Sequence, residues 1–491
     1  MFKQYLLGIK NEKNHKITIP KGSFLYDIYF KLWDYPSLAF RKSTQSGIST
    51  WANITSFEHA KPENDSKNTF YMLPVESTKN RYLSRVDEVI ANNDYLKSGI
   101  GNVDNKSIKK YHNAILNYVY CAPSQLVEFP ADILIIDEID EMTDDWSRAY
   151  GRLGFSKYRY VRKIGNPTIP KAPIDDAYIN STQSKWNVKH DCGHWILPDY
   201  FKHIADIEGN TYDRNFTGYN ELLAICHMCG KPIDFKSSGE WVKTYDDRQT
   251  IGIHINKLFS GNTPLIDLYN NHKEGLVNES KMTSFMNNDL GLPHVSSGQK
   301  INSDMLNRCI DATYTMPDTY DNPALMGIDV GKVLHTVIMS SDYRLLFVGE
   351  LQNENDVLSM CKQYNVRVGV IDALPELRLV DKILSLHAGF FKCHYMYNTA
   401  KPFNPKAANR QISIDRTYLL DLVKENVLKQ TYKFPMNISS IKDFYSHIES
   451  STRVVKDERS VWVELGDDHL LHALAYATIA GSLWTYVQNI T

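Results

Sequence analysis

Asp132-Ile-Leu-Ile-Ile-Asp137-Glu138-Ile-Asp140 sets four apolar residues between acids and ends in an acidic turn. A run that is apolar on both faces reads as a central strand of a parallel sheet; a strand with one wet face would alternate. Open α/β sheets bind ligands at the carboxyl ends of their strands. Asp137 stands there as a candidate Mg²⁺ holder. Glu138 is the candidate to polarise an attacking water, since phosphoryl transfer needs charge neutralisation and a positioned nucleophile. A strand that merely ends in a solvated acidic turn has the same letters, so partners elsewhere in the chain decide between the two.

Upstream, an apolar strand, Ser37–Phe40, runs into Arg41-Lys-Ser-Thr-Gln-Ser-Gly-Ile-Ser-Thr50. The standard phosphate loop is G-x-x-x-x-G-K-[ST]. Lys42 takes its first-glycine position, Gly47 its second, Ile48 the usual lysine position and Ser49 the metal-ligand position. The lysine has moved to the front of the loop, where it still reaches phosphates as a point charge. Backbone N–H groups across Ser43, Thr44, Gln45, Ser46 and Gly47, with the following helix start, would cradle the phosphates. The Ser49 or Thr50 hydroxyl would face Mg²⁺. Gly165-Asn166-Pro-Thr168 follows a further strand, Tyr160–Gly165, and Asn166 is a candidate sensor of the γ-phosphate; an ordinary Asn-Pro turn is the alternative. Arg148 and Arg152, one turn apart on an expected helix over Asp145–Leu153, are candidate arginine fingers or surface charges.

The remaining composition bounds the class. A chain of 491 residues has room for two to four domains, and 43% hydrophobic with 23% charged residues excludes wholesale disorder. Lys plus Arg total 55 against 57 Asp plus Glu, a net charge of −2, so the chain is no basic nucleic-acid coat. No run of about 18 apolar residues is present, so no membrane span is expected. The N-terminal residues show no signal-peptide pattern. Seven cysteines argue for a reducing compartment over a disulfide scaffold. Further strands are expected at Thr69–Leu73, Ile115–Tyr120 and Ile133–Ile136. We expect residues 1–185 to form a phosphate-loop α/β core, 186–235 an insertion, 236–305 the remainder of that core in helix and loop, 306–323 a linker and 324–491 a second α/β unit.

The insertion carries Cys226-His-Met-Cys229-Gly230, a CxxCG knuckle, and His190-Asp-Cys192-Gly-His194, a shorter partner. Cys192 precedes a glycine, as the second ligand of a knuckle does, and His190 fits the first place. The set His190, Cys192, Cys226 and Cys229 predicts a closed tetrahedral Zn²⁺ site in a zinc-ribbon-like insertion, with His194 the rival fourth ligand and free thiols the alternative.

The second unit places Asp329 in Leu325-Met-Gly-Ile-Asp-Val-Gly331 and Asp372 at the end of Val368-Gly-Val-Ile-Asp372. A late helix is expected to open at Gly466-Asp467-Asp468-His469, with Asp467 as its cap and Asp468 and His472 on one face. Buried strand acids are unfavourable without a metal or partner. Asp329, Asp372 and Asp468, with Asp467 as the alternative third, are therefore candidate ligands for two Mg²⁺ or Mn²⁺ ions that cut a phosphodiester. Lys401, Lys406, Arg410 and Arg416 are candidate DNA-phosphate contacts, or a solvated basic loop.

Together these motifs resemble the large subunit of a tailed-bacteriophage terminase, most similar to the lambda-like branch with a zinc-binding insertion. The resemblance is carried by Lys42, Gln45, Gly47 and Ser49, the IIDEID strand, the GNPT turn, the Cys/His knuckles, Phe285-Met-Asn-Asn-Asp-Leu-Gly-Leu-Pro293, the GIDVG acid and the Asp468-His-x-x-x-Ala-Leu-x-Tyr476 pattern. It implies an ASCE-type phosphate-loop ATPase followed by an RNase H-like nuclease domain. The implied function is ATP-driven translocation of double-stranded DNA into a procapsid and endonucleolytic cutting of concatemers. It also implies a small subunit and a portal as partners, a homo-oligomeric ring when assembled, and work in the bacterial cytoplasm on the viral procapsid. His472 stands where family members often carry an acid. Two other readings are a helicase-like DNA-remodelling ATPase with a binding module, and an RNase H-like recombinase or resolvase.

Overall fold

The computed structural model describes residues 8–484 except 106, 127–128, 143–145, 212–215, 219–220, 261–262, 397–402, 407–408 and 457–458. The chain forms two compact units, Met1–Ser296 and Ser297–Thr491.

The first unit is built on eight strands: β1 Ser37–Lys42, β2 Thr69–Leu73, β3 Ile100–Asp104, β4 Ile108–Tyr111, β5 Ala114–Tyr120, β6 Ile133–Asp137, β7 Tyr160–Gly165 and β8 Ile251–Ile255. Their order across the sheet is β8-β1-β7-β6-β2-β5-β4-β3. Neighbours from β8 to β5 are parallel, and β4 and β3 extend the edge antiparallel. All five residues of β6 are buried, as an apolar run ending in an acid requires when helices cover both faces. Helix α1, Ile48–His59, starts from Gly47, whose φ of +80° turns the loop sharply onto the helix axis. That helix is buried nearly all round, and its Trp51 donates Nε1–H to Ile28 O at 3.1 Å.

The register decides where side chains meet. Arg41 pairs with Gly165 and Asp137 with Ile164, so Lys42, Asn166 and Glu138 emerge side by side at the carboxyl rim. Between β7 and β8 lies the insertion, with a small sheet of Lys185–Lys189, Trp195–Ile196 and Gly239–Val242, and a hairpin of Ala224–Ile225 with Pro232–Ile233. Two sequence expectations change here. Residues 236–305 are not helix and loop alone, because Gly239–Val242 and β8 are strands. The segment expected as a helix over Asp145–Leu153 is a 3₁₀ helix over Trp146–Leu153, and Asp145 lies outside the described residues.

The second unit has strands β9 Ala324–Val330, β10 Leu334–Ser340, β11 Leu345–Leu351, β12 Val366–Asp372, β13 Phe390–Met396, β14 Phe403–Lys406 and β15 Gln411–Asp415. The order is β11-β10-β9-β12-β13-β15-β14. Three antiparallel strands, β11 to β9, lead into parallel pairs from β9 to β13 and β15, the arrangement of an RNase H-like sheet. Apolar cores fill both faces of this sheet. Helix α2, His469–Ser482, lies against β9 so closely that a Cβ on Gly327 would meet Ala473 O at 2.0 Å. Backbone contact at that glycine brings the start of α2 over Asp329. The expected cap is corrected: the residue before the helix is Asp468, not Asp467, and its side chain makes no capping bond.

Candidate functional site

At the rim of the first sheet Lys42 is buried, and its Nζ donates to Glu138 Oε1 at 3.0 Å and to Asn166 Oδ1 at 2.8 Å. Ser49 Oγ donates to Asp137 Oδ1 at 3.2 Å, and Tyr71 OH donates to Asp137 Oδ2 at 2.7 Å. Thus the two strand-end acids divide: Asp137 faces the helix serine and Glu138 faces the lysine. Burial pushes the Asp137 carboxyl up to about 6, the Glu138 carboxylate adds to the rise, and Lys42 opposes it. Glu138 sits at φ +56°, an uncommon left-handed setting for a non-glycine residue.

The loop itself is held from outside. Ser43 N donates to Ile255 O at 2.8 Å, and Thr44 N and Oγ1 donate to Asn288 O at 3.0 and 3.1 Å. Asn166 Nδ2 donates to Asn288 Oδ1 at 3.2 Å. Asn288 therefore links the phosphate loop to the turn after β7. It lies in a π-helical turn, Phe285–Asp289, a rare form that recurs at functional sites. A Cβ on Gly291 (φ +62°) would stand 2.6 Å from Ile255 O and 2.9 Å from Ser43 N, so this segment presses directly on the end of β1. Gln45 (φ +58°) and Gly47 form the exposed bend of the loop, Ile48 is buried under it, and Thr50 is half-buried on α1. Ser46 Oγ is buried without a hydrogen-bond partner among the described residues, which fits a loop shaped for a ligand. Arg148 is exposed and Arg152 half-buried.

In the insertion, the ligand atoms of His190, Cys192, Cys226 and Cys229 lie within 4.8 Å of one another. His190 Nδ1 is 3.0 Å from Cys192 Sγ and 3.9 Å from Cys229 Sγ, while Nε2 is 3.0 Å from Pro232 O. A backbone carbonyl at Nε2 selects the tautomer with an unprotonated Nδ1, which faces the thiols and accepts from Cys192 N at 3.3 Å. His194 Nδ1 lies 3.4 Å from Cys192 Sγ but is outside that group of four. Hydrogen bonds from the His194 backbone and from the His190 and His194 rings lower the Cys192 thiol to about 6.

In the second unit, Ile328 pairs with Ile371, so Asp329 and Asp372 follow at the ends of adjacent parallel strands. Burial raises the Asp372 carboxyl to about 6; Leu374 N–H opposes this and the Asp329 carboxylate adds to it. The third acid is placed differently from its neighbours. Asp468 Oδ2 accepts from Ser451 Oγ at 2.7 Å and Arg416 Nη2 at 3.2 Å, and lies 3.2 Å from His472 Nε2. Burial would raise this carboxyl, yet His472, Ser451 and Arg416 together hold it below its ordinary value. His469, one residue on and so turned about 100° around the helix, lies with Nδ1 2.9 Å from Asp329 Oδ2. Asp467 is exposed. The place beside Asp329 expected for Asp468 is taken by His469. Of the basic candidates, Arg416 also donates to Trp462 O at 2.6 Å, and Arg410 to Leu384 O and His387 O, so both are tied to the fold. Lys401 and the side chain of Lys406 lie outside the described residues.

Residues 29–244 match the family model for the phage terminase large subunit gpA, ATPase domain. The matched stretch holds β1 to β7, the loop from Lys42 to Thr50 and the strand-end acids Asp137 and Glu138. No curated protein matches the chain. Among solved structures it is similar to the bacteriophage HK97 large terminase, with a TM-score of 0.48 and 10% identity over 95% of this chain and 96% of that one. It is also similar to the large terminase nuclease from thermophilic phage G20c, with a TM-score of 0.27 and 14% identity over 36% of this chain and 97% of that one.

Two parts of these candidate sites are not legible in the sequence. Asn288 bonds Thr44 through a main-chain carbonyl that any residue possesses, so its side-chain identity carried no signal for that contact. His335 is one apolar-strand histidine in β10 by its sequence, and only the pairing of β9 with β10 sets it directly opposite Asp329.

Proposed function

We propose that this chain is a genome-packaging motor and nuclease, in which the first unit hydrolyses ATP to drive double-stranded DNA into a procapsid and the second cuts concatemeric DNA. The observation that carries the motor reading is the meeting of Lys42, Glu138 and Asn166 at one rim of the matched ATPase domain. Lys42 contacts the phosphates, Ser49 and Asp137 would hold Mg²⁺, and Glu138 orients the attacking water. Hydrolysis releases the Lys42–Asn166 contact, and Asn288 passes that change between loop and turn. Exposed Arg148, with half-buried Arg152 the alternative, is the candidate to reach a neighbouring subunit in a ring.

For the nuclease, buried Asp329 and half-buried Asp372 are carboxylates at the ends of adjacent strands, suited to hard divalent ions. Mg²⁺ or Mn²⁺ there would neutralise charge on the phosphodiester and activate water. Asp468 would join them only by giving up Arg416 and His472. His190, Cys192, Cys226 and Cys229 would hold one Zn²⁺ as a closed staple, since three thiols and one unprotonated imidazole nitrogen make a tetrahedral donor set. The small subunit and portal are the expected protein partners, in the bacterial cytoplasm.

The test pairs two variants of the full chain. Glu138→Gln should abolish ATP hydrolysis while plasmid cutting in Mn²⁺ persists, and Asp372→Ala should do the reverse. Cutting that survives Asp372→Ala would refute the nuclease reading, and hydrolysis that survives Glu138→Gln would refute the motor reading.

A further inference from the structure

Asp329 has two flanks. On β12 stands Asp372; on the other side, β10 places His335 directly across the ladder from Asp329. Directly opposed residues of an antiparallel pair project to the same face with Cβ atoms about 5 Å apart. Helix α2 adds His469 from above, with Nδ1 2.9 Å from Asp329 Oδ2. The three ligand atoms lie within 4.8 Å of one another.

His335 gives the independent sign that something is meant to bind. It is 8% exposed, and its Nδ1 is buried with no hydrogen-bond partner among the described residues. A buried ring nitrogen left bare is costly unless a ligand completes it. Its other nitrogen, Nε2, faces Glu350 Oε1 at 3.8 Å. At that distance Glu350 is a nearby negative charge and no hydrogen-bond partner, and it favours a cation held beside the ring. The His335 and His469 rings stack at 4.5 Å and 13°, so both imidazoles are held on one side of Asp329. A cavity of about 470 Å³ opens beside them, lined in part by Glu350, His447 and Asp467, with room for water or a phosphate oxygen.

We infer that Asp329, His335 and His469 form a binding site for a first-row transition-metal dication, on the flank of Asp329 opposite Asp372. Two imidazoles and one carboxylate suit Mn²⁺, Fe²⁺, Co²⁺, Ni²⁺ or Zn²⁺, whereas Mg²⁺ and Ca²⁺ require oxygen donors. The carboxylate pair and the histidine flank thus differ in metal preference while sharing one acid. The inference rests on the nuclease reading only in that Asp329 serves both.

The experiment uses the full chain with its Cys/His cluster first filled by one equivalent of Zn²⁺. Co²⁺ is then titrated and its visible d–d absorption recorded. One further equivalent should bind, without thiolate charge transfer, and more than about a 100-fold excess of Mg²⁺ should be needed to displace it. His335→Gln and His469→Gln should each weaken Co²⁺ beyond the about 10–100-fold that outer-sphere changes cost, and Glu350→Gln should fall within that range. Hydrolysis of ATP and an unchanged urea midpoint identify folded variants. Co²⁺ bound equally by wild type and both histidine variants, or displaced by equimolar Mg²⁺, would overturn the site. Plasmid cutting in Mg²⁺ by Asp372→Ala separates the two claims: its persistence refutes the nuclease reading, while the Co²⁺ titration decides this site by itself.

Discussion

Lys42→Ala removes the ammonium that Glu138 and Asn166 share. The lysine side chain is 6% exposed and the Glu138 side chain 34% exposed. Without its partner Glu138 is rehydrated from the solvent side, so the fold should lose only about 0–1 kcal/mol, as for other partly exposed pairs. The effect on chemistry is larger. A preorganised donor removed from a developing phosphoryl charge in a water-poor site costs about 3–4 kcal/mol, or about 10²–10³ in rate. Steady-state phosphate release should therefore fall by that factor while the urea midpoint barely moves. Lys42→Arg should not rescue, because a planar fork does not fit where a compact ammonium reaches two oxygens on adjacent strands. Hydrolysis within about threefold of wild type by a folded Lys42→Ala would refute the phosphate role. A large loss of stability with proportionate loss of activity would instead make Lys42 a structural cation.

Further outcomes are expected. Gly291→Ala puts a Cβ within 3 Å of Ile255 O and Ser43 N at φ +62°, so urea unfolding should show a loss above the about 1–3 kcal/mol of backbone strain alone, with ATP hydrolysis reduced. Burial lifts the Asp140 carboxyl from 3.8 to about 6 against hydrogen bonds from Ile174 and Thr168. Its protonated form is favoured in the fold, so its stabilisation is full below about pH 4 and is lost as pH rises through 6. Relative to Asp140→Asn, the wild type should lose about 3 kcal/mol between pH 4 and pH 8, at about 1.4 kcal/mol per pH unit; parallel urea curves would contradict this. Cys226→Ser, at a fully buried thiol, should abolish stoichiometric zinc in native mass spectrometry and expose residues 190–230 to protease.

The parts of the fold that were readable are those whose neighbours are close in sequence or whose pattern is unambiguous. The apolar run Ile133–Ile136 between acids read as a doubly covered strand, which the structure has over Ile133–Asp137, and Asp329 and Asp372 declared themselves as acids at the ends of apolar runs. β8 did not. Ile251-Gly-Ile-His-Ile255 is a five-residue run that periodicity alone cannot assign, and its partner β1 lies about 210 residues earlier. The zinc candidates were legible because thiols at C-x₂-C spacing have few other uses. The third candidate acid was not, because the choice between Asp467 and Asp468, and the arrival of His469 beside Asp329, depend on where a helix starts. Helix ends are uncertain by a residue or two, and each residue of slip rotates the face by about 100°. His335 required the hairpin register, not its own identity.

The placement of β8 and Asn288 has a consequence for synthesis. β1 is a central strand whose outer edge is covered only by β8, and its phosphate loop is tied by Asn288 and Gly291 near the end of the unit. At about 5–20 residues per second, a ribosome that has finished β1 needs roughly 10–40 s to deliver β8. Through that interval an apolar parallel strand waits with an open edge, a template for pairing with other chains. A fragment stopping at Val242 would keep that edge open permanently. The rim that carries Lys42, Glu138 and Asn166 thus takes its final form only when the last-made part of its own unit, from Ile255 to Gly291, packs onto the loop.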